Sequence, residues 1–351
     1  MSDNNGSIFD SVLFVGPYRA GKGGIVAVLG SYSRFAKPFH FASTCSHWGH
    51  FFSMFVLAGL LLRMPFIRAF SKRRVLHVHF ASYGSFLRKS MVIRWGKTLG
   101  FKIVGHCHGA EFKMFAEKKG KDKIIGVLGK CDVVVALSES WKSFFIDELN
   151  CNNVEVIWNP IEPVENPENN VGDRLELLFL GRIGERKGVF DVISTIAQNK
   201  QSLEGKIHFA IGGDGDVERL TKAISDNGLN DIVEYVGWIS GEDKQRLLRK
   251  ANVVMLPSYN EGLPIVLLEA MAYGKGIIAT AVGGIPEIVS DDENGIIVEA
   301  GNHADILRAI TTYVNDPTLA VRHGEKSLKL IEKSYPYNVK CQLEGIYSNI
   351  I

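Results

Sequence analysis

The chain has 351 residues, 46% of them hydrophobic and 22% charged, which is enough apolar material for two sizeable cores and a length that fits two domains. Five cysteines (Cys45, Cys107, Cys131, Cys151 and Cys341), odd in number and without metal-type spacing, argue against a disulfide scaffold or a zinc site and for reduced thiols in a cytosolic compartment. The formal net charge is +2, no nucleic-acid partner is expected, and the polar start Met-Ser-Asp-Asn-Asn-Gly lacks the basic and apolar regions of a secretion signal.

In the first half, Val12–Val15, Phe39–Ala42, Val75–Phe80, Lys102–His106, Asp132–Leu137 and Val154–Trp158 read as short buried strands with helical patterns between most of them. Gly16-Pro-Tyr-Arg-Ala-Gly21-Lys22 follows the first strand and matches the phosphate loop of nucleotide hydrolases until Gly23 stands where Ser or Thr would bind magnesium. What remains is a glycine-rich turn, Gly23-Gly24 included, whose backbone N–H groups can approach a phosphate.

The run Phe51 to Leu62 is apolar and is followed by Arg63, Arg68, Lys72, Arg73 and Arg74. About twelve apolar positions fall short of the roughly 20 that span a bilayer. Two readings remain: a buried helix with a solvated basic end, or a helix over 51–74 lying in the interface of an anionic membrane. Through Glu165 the chain carries 21 Lys+Arg against 12 Asp+Glu, a balance of +9, and the remainder 19 against 26, a balance of −7. A basic half suggests an anionic partner for the first domain.

His77 and His79, and His106 and His108, alternate so that each pair faces one side of its strand, and two strand ends can in principle assemble a metal site. No cluster of Asp or Glu accompanies them, so structural histidines are the expectation for His77 and His106. Pro160 to Asn170, rich in proline and polar residues, reads as the linker.

The second half repeats the alternation, with strands at Leu175–Leu180, Ile207–Ile211, Val233–Val236, Asn252–Leu256, Gly276–Ala279 and Gly295–Val298, and a last helix from Pro336 to Ile350. Strands alternating with helices indicate doubly wound parallel sheets. The first strand runs into Gly181-Arg182-Ile-Gly-Glu-Arg-Lys187-Gly188, a strand-to-helix loop whose Arg offers a bidentate fork and whose Lys offers a point charge to a diphosphate. Further on, Glu261-Gly-Leu-Pro-Ile-Val-Leu-Leu-Glu269 places one carboxylate in the loop at a strand's carboxyl end. The other lies about two turns into a helix expected from Leu263 to Met271, with Pro264 in its first turn. Such a pair suits a polyhydroxylated ligand. Taken singly, each charge also fits a solvated surface.

The conjunction is more specific. Gly-Arg-x4-Lys-Gly, then Gly212-Gly213-Asp214-Gly215, Leu256-Pro257-Ser258, Glu-x7-Glu, Gly283-Gly284-Ile285-Pro286-Glu287 and Asn294-Gly295 resemble, in order and spacing, the donor-binding half of family 4 glycosyltransferases. The resemblance is strong from Leu177 to Val298 and weaker before Ile161, where Gly23-Gly24, His106-Cys-His108-Gly109 and Asn159-Pro160 carry it.

It implies an α/β GT-B fold, two doubly wound Rossmann-like domains facing each other across a cleft. The first, 1–163, would bind acceptor; the second, 164–335, would bind a nucleoside diphosphate sugar; and 336–351 would cross back to the first. It further implies a retaining, metal-independent transferase without a cofactor, in which Arg182 and Lys187 meet the leaving diphosphate with help from Gly23 and Gly24. Glu261 with Gly262 and Leu263 would hold the sugar, Glu269 the ribose, Trp238 the base edge, and His108 the sugar or acceptor.

Asp214-Gly215-Asp216 copies the Asp-x-Asp of metal-dependent glycosyltransferases but matches this family's turn, so no metal is expected. The acceptor would be a glycan or lipid-linked molecule in surface polysaccharide or glycolipid assembly, met in the cytoplasm, with peripheral contact at the inner face of the cell membrane. Two other readings stay open: a nucleotide-sugar epimerase of the same architecture, and a catalytically silent membrane-associated binding module.

Overall fold

The computed structural model describes residues 6–18, 21, 23–167 and 171–351. Arg19, Ala20 and Lys22 of the glycine-rich turn, and residues 168–170 of the linker, lie outside the described residues.

The chain divides into two compact units, Met1–Glu162 with Lys333–Ile351, and Pro163–Glu332. The first is built on six parallel strands, β1 (Val12–Gly16), β2 (His40–Ser43), β3 (Val75–Phe80), β4 (Lys102–Cys107), β5 (Val133–Ala136) and β6 (Val154–Val156), in the order β2-β1-β3-β4-β5-β6. The second holds β7 (Leu175–Leu180), β8 (Ile207–Gly212), β9 (Val233–Gly237), β10 (Val253–Leu256), β11 (Gly276–Thr280) and β12 (Ile296–Val298), in the order β12-β11-β10-β7-β8-β9. Every strand falls on a run read from the sequence. Parallel strands are covered by helices on both faces and therefore appear as near-continuous runs of Val, Ile and Leu; β1, β3, β5, β8, β10 and β11 are buried along their whole length.

In the second sheet the chain starts in the middle at β7, steps outward to β8 and β9, and then returns to lay β10, β11 and β12 on the other side. Val253 and Val254 of β10 pair directly with Leu177 and Leu178 of β7. The strand order therefore reverses between β7 and β10, which is where a doubly wound sheet opens a crevice at its carboxyl end. In the first sheet the corresponding reversal lies between β1 and β3.

Three helices of the first unit matter below: α1 (Gly24–Phe35), α2 (His50–Phe70) and α3 (Tyr83–Thr98). The helix Pro336–Ile350 packs onto this unit, with Tyr347 edge-on to Phe9 at a centroid distance of 5.9 Å.

The first unit ends at Glu162 and its returning segment begins at Lys333, three residues before Pro336, because backbone and side chains tie these stretches down. The Ile161 N–H donates to the Ser334 carbonyl at 2.9 Å, Glu162 pairs with Arg34 at 2.7 Å, and the Lys333 ammonium lies 5.5 Å from the centre of the Trp158 ring. Pro160 and Ile161 are buried parts of the unit and do not belong to the linker. The five cysteines are all free.

Candidate functional site

The loops that leave β7, β8, β10 and β11 gather at the carboxyl end of the second sheet, and glycines let their backbones touch. Gly188, which ends the loop after β7, has φ of 70°, and a Cβ there would sit 2.1 Å from the Pro257 carbonyl oxygen in the loop after β10. Gly283, after β11, has φ of 58° and would collide in the same way with the Glu261 carbonyl. A side chain at either position is excluded both by backbone conformation and by space.

These close approaches bring the two charges of the motif together. Lys187 Nζ donates to Glu261 Oε1 across the switch point, and the same oxygen accepts from Ser258 Oγ at 2.8 Å. Glu261 is 5% exposed, and these two hydrogen bonds offset the cost of burying its polar side chain. The framework around the pair is also tied: Arg186 donates to the Asn260 carbonyl at 2.8 Å, Tyr259 N–H to the Arg186 carbonyl at 2.9 Å, and Gly284 N–H to the Gly262 carbonyl at 2.7 Å.

Arg182 shares the Lys187 loop but differs in setting. It is exposed and makes no ion pair among the described residues, while its neighbour Ile183 is zipped to the turn after β8 by an N–H to the Asp214 carbonyl at 2.6 Å and by accepting from the Asp216 N–H at 3.0 Å. Asp214-Gly215-Asp216 is thus a turn that props the Arg182 loop.

The helix after Glu261 runs from Ile265 to Ala272, shorter at its start than expected, with Pro264 as its N-cap in an extended conformation instead of inside the first turn. Leu263 is buried beneath the loop. Glu269 lies in this helix and pairs with Lys244 of the helix Gly241–Lys250, so the two glutamates of the motif have separate cationic partners. Trp238, directly after β9, is 46% exposed and so is not part of the core.

Gly23, Gly24 and His108 belong to the first unit. Gly23 caps α1 with φ of 118° and has open space where a Cβ would stand, and Gly24 is the first helical residue. His108 follows β4 and shares a hydrogen bond of 2.9 Å between its Nε2 and Nδ1 of His79. Behind it, His77 Nε2 and His106 Nδ1 lie 3.2 Å apart, and His77 Nδ1 is 2.6 Å from the Tyr347 hydroxyl. The four rings stack at centroid distances between 4.1 Å and 5.3 Å.

Burial lowers His77 and His108 to about 3, a hydrogen bond with Asn159 acting the other way on His108, and it holds His79 and His106 well below the ordinary imidazole range. Neutral at physiological pH, His108 can donate or accept a hydrogen bond but brings no positive charge. Among the described residues, His77, His79 and His106 are the group whose ligand-type atoms lie close enough to share an ion, within 4.8 Å of one another. Four of their six nitrogens are already engaged in the hydrogen bonds above.

Sequence reasoning missed Ser258 and Lys244. Ser258 was visible in Leu256-Pro257-Ser258 and needed only its distance to Glu261; Lys244 sits on an otherwise ordinary charged helix and carries no sequence signal.

Two family models cover adjoining stretches: one described as Glycosyltransferase Family 4 matches residues 26–165, and one described as Glycosyl transferases group 1 matches residues 161–333. An uncharacterized glycosyltransferase of Methanocaldococcus jannaschii is 30% identical over 254 residues, which span 67% of this chain and 64% of that protein. The amylovoran biosynthesis glycosyltransferase AmsK of Erwinia amylovora is 30% identical over 267 residues, 71% of this chain and 64% of AmsK. The chain thus spans just under two thirds of each of these relatives. Among solved structures, HepE of Anabaena in complex with UDP and glucose has the same fold, with a TM-score of 0.74 at 15% identity over 96% of this chain and 99% of HepE.

Proposed function

The chain belongs to the family 4 glycosyltransferases of GT-B type, and from that membership we propose that it moves a sugar from a nucleoside diphosphate sugar to a glycan or lipid-linked acceptor. The observation that carries the reading is the Lys187–Glu261 pair at the point where the second sheet's strand order reverses. A buried carboxylate beside an ammonium, in the loop that leads into the helix Ile265–Ala272, suits a ligand that is anionic at one end and polyhydroxylated at the other.

In the proposed reaction the bond between the sugar's anomeric carbon and the β-phosphate oxygen breaks as the acceptor oxygen bonds to that carbon. Arg182, with its charge uncommitted, and Lys187, which has two N–H groups beyond the one given to Glu261, stabilise the charge growing on the diphosphate. Glu261 accepts hydrogen bonds from the sugar and Glu269 from the ribose, held in place by Lys244. Trp238 offers a surface to the base, and the N–H groups of Gly23 and Gly24 approach phosphate.

His108, neutral, serves the acceptor or sugar as a hydrogen-bonding group. Since neither glutamate is free to act as an unpaired nucleophile, attack on the same face with the departing phosphate taking the acceptor's proton is the proposed route, with retention. No metal is assigned a role. The name of AmsK supports a biosynthetic setting, for which we propose the cytoplasm and the assembly of a surface glycan.

Incubation with a panel of nucleotide sugars, UDP-sugars first because HepE was solved with UDP, tests the reading. Release of nucleoside diphosphate that depends on added acceptor, undiminished by EDTA, is expected. Isomerised donor formed without acceptor would favour the epimerase instead, and activity lost in EDTA and restored by magnesium or manganese would contradict the metal-free route.

A further inference from the structure

We propose that the outer face of α2 and α3 docks the protein onto an anionic phospholipid bilayer, with α2 lying in the plane of the interface. In a helix packed on a sheet, one stripe is apolar and the opposite one polar. In α2 the inward stripe is Ser53, Leu57, Leu60 and Met64, all buried. The opposite stripe is apolar as well: Phe51, Phe55, Leu62, Phe66 and Phe70 recur at three- to four-residue or double-turn spacing and stand in solvent, with Phe55 61%, Leu62 74% and Phe66 65% exposed. Soluble surfaces rarely present so many large apolar side chains in one place.

The neighbouring helix extends the patch. In α3, Leu87, Met91 and Trp95 form a ridge at intervals of four residues, and all three are exposed. The two helices are pinned side by side by a bond that α2 itself cannot use. Pro65, inside α2, has no N–H to give to the Leu61 carbonyl, and Trp95 Nε1 donates to that carbonyl at 3.0 Å.

Charge identifies the occupant. Between Asp10 and Glu111 the sequence has no Asp or Glu and fourteen Lys and Arg, and Arg63 and Arg94 are exposed beside the apolar stripes. An apolar face flanked by Arg63 and Arg94, in a stretch of sequence without Asp or Glu, fits anionic headgroups over acyl chains. A protein partner or a second copy of this chain would have to meet the same cations, and this unit offers no acidic stretch in that region to pair with them. By length and composition Phe51–Phe70 also passes as a spanning segment. Its inward stripe, however, belongs to the core that includes Leu76, Val78 and Ile103 of β3 and β4, so α2 is held along its length against its own sheet.

Co-sedimentation of the full chain with vesicles of phosphatidylcholine alone, or mixed with phosphatidylglycerol, tests the inference, alongside gel filtration without lipid. Binding to the mixed vesicles that weakens with salt is expected. A variant with F55S, L62S and F66S should keep the wild-type melting temperature, because those side chains are exposed, yet partition on the order of a hundredfold less. R63E with R94E should lose about fivefold or more per position. Absence from both pellets, equal binding by the triple variant, or a dimer that the triple variant dissolves while lipid binding is absent would each overturn the proposal.

Discussion

At the residue scale, the charges of the donor motif divide into committed and uncommitted ones, and their variants should behave differently. Arg182 is exposed and unpaired among the described residues, so R182A is expected to cost activity alone. A drop in kcat/KM of roughly ten- to a hundredfold with an unchanged melting temperature would fit the loss of one charge-assisted contact of about 1.5–3 kcal/mol. K187A should lose activity to at least that extent and stability too, because it strands the buried Glu261 carboxylate. Thermal denaturation beside steady-state kinetics separates the two. Glu269 should give a third pattern: E269A is expected to weaken a nucleoside diphosphate about tenfold or more while hardly affecting its 2′,3′-dideoxy analogue, and titration calorimetry with both ligands checks this.

The histidine stack supplies a pH dependence of known sign. In the unfolded chain an imidazole protonates near its ordinary value of about 6.5, whereas folded His77 stays neutral down to about 3. The unfolded state therefore binds more protons below that ordinary value. The stabilisation is complete above pH 6.5 and is lost as pH falls towards 3, by roughly 2 kcal/mol at pH 5 for His77 alone. Urea unfolding is expected to give a midpoint flat from pH 7 to 8.5 and falling steeply towards pH 5, and a wild-type midpoint that parallels that of H77N would speak against this origin.

At the scale of elements, the site depends on loops that approach backbone to backbone. G188A places a methyl group 2.1 Å from the Pro257 carbonyl in a left-handed conformation, so it must move the loop that carries Lys187. Loss of donor binding together with a fall in melting temperature is expected, whereas alanine at Gly184, which has open space, should leave the melting temperature nearly unchanged. The strands were readable from sequence because parallel strands buried on both faces are continuous apolar runs. The start of the helix after Glu261 was not, since Pro264 fits either the first turn or the cap, and only its extended backbone decides between them. For α2 the sequence offered a buried helix or an interfacial one. Because both stripes of the helix are apolar, hydropathy alone could not tell which side the sheet would take.

At the scale of the whole molecule, alternation of strands and helices reveals two doubly wound sheets but not the order of their strands. That order puts β7 beside β10 and brings Lys187 to Glu261 across 74 residues. The same ordering turns two motifs that each fit a solvated surface into one ion pair. The uneven charge was also legible, +9 against −7, yet only exposure revealed that Arg63 and Arg94 of the basic half flank an apolar face.

The central claim is that the Lys187–Glu261 loops of the second unit hold a nucleoside diphosphate sugar, and titration calorimetry of the wild type and the R182A/K187A variant against UDP, GDP, ADP and dTDP tests it most directly. One of these diphosphates is expected to bind the wild type and to bind the variant about a hundred- to ten-thousandfold more weakly. Equal affinity for wild type and variant, or no binding of any of the four, would contradict it.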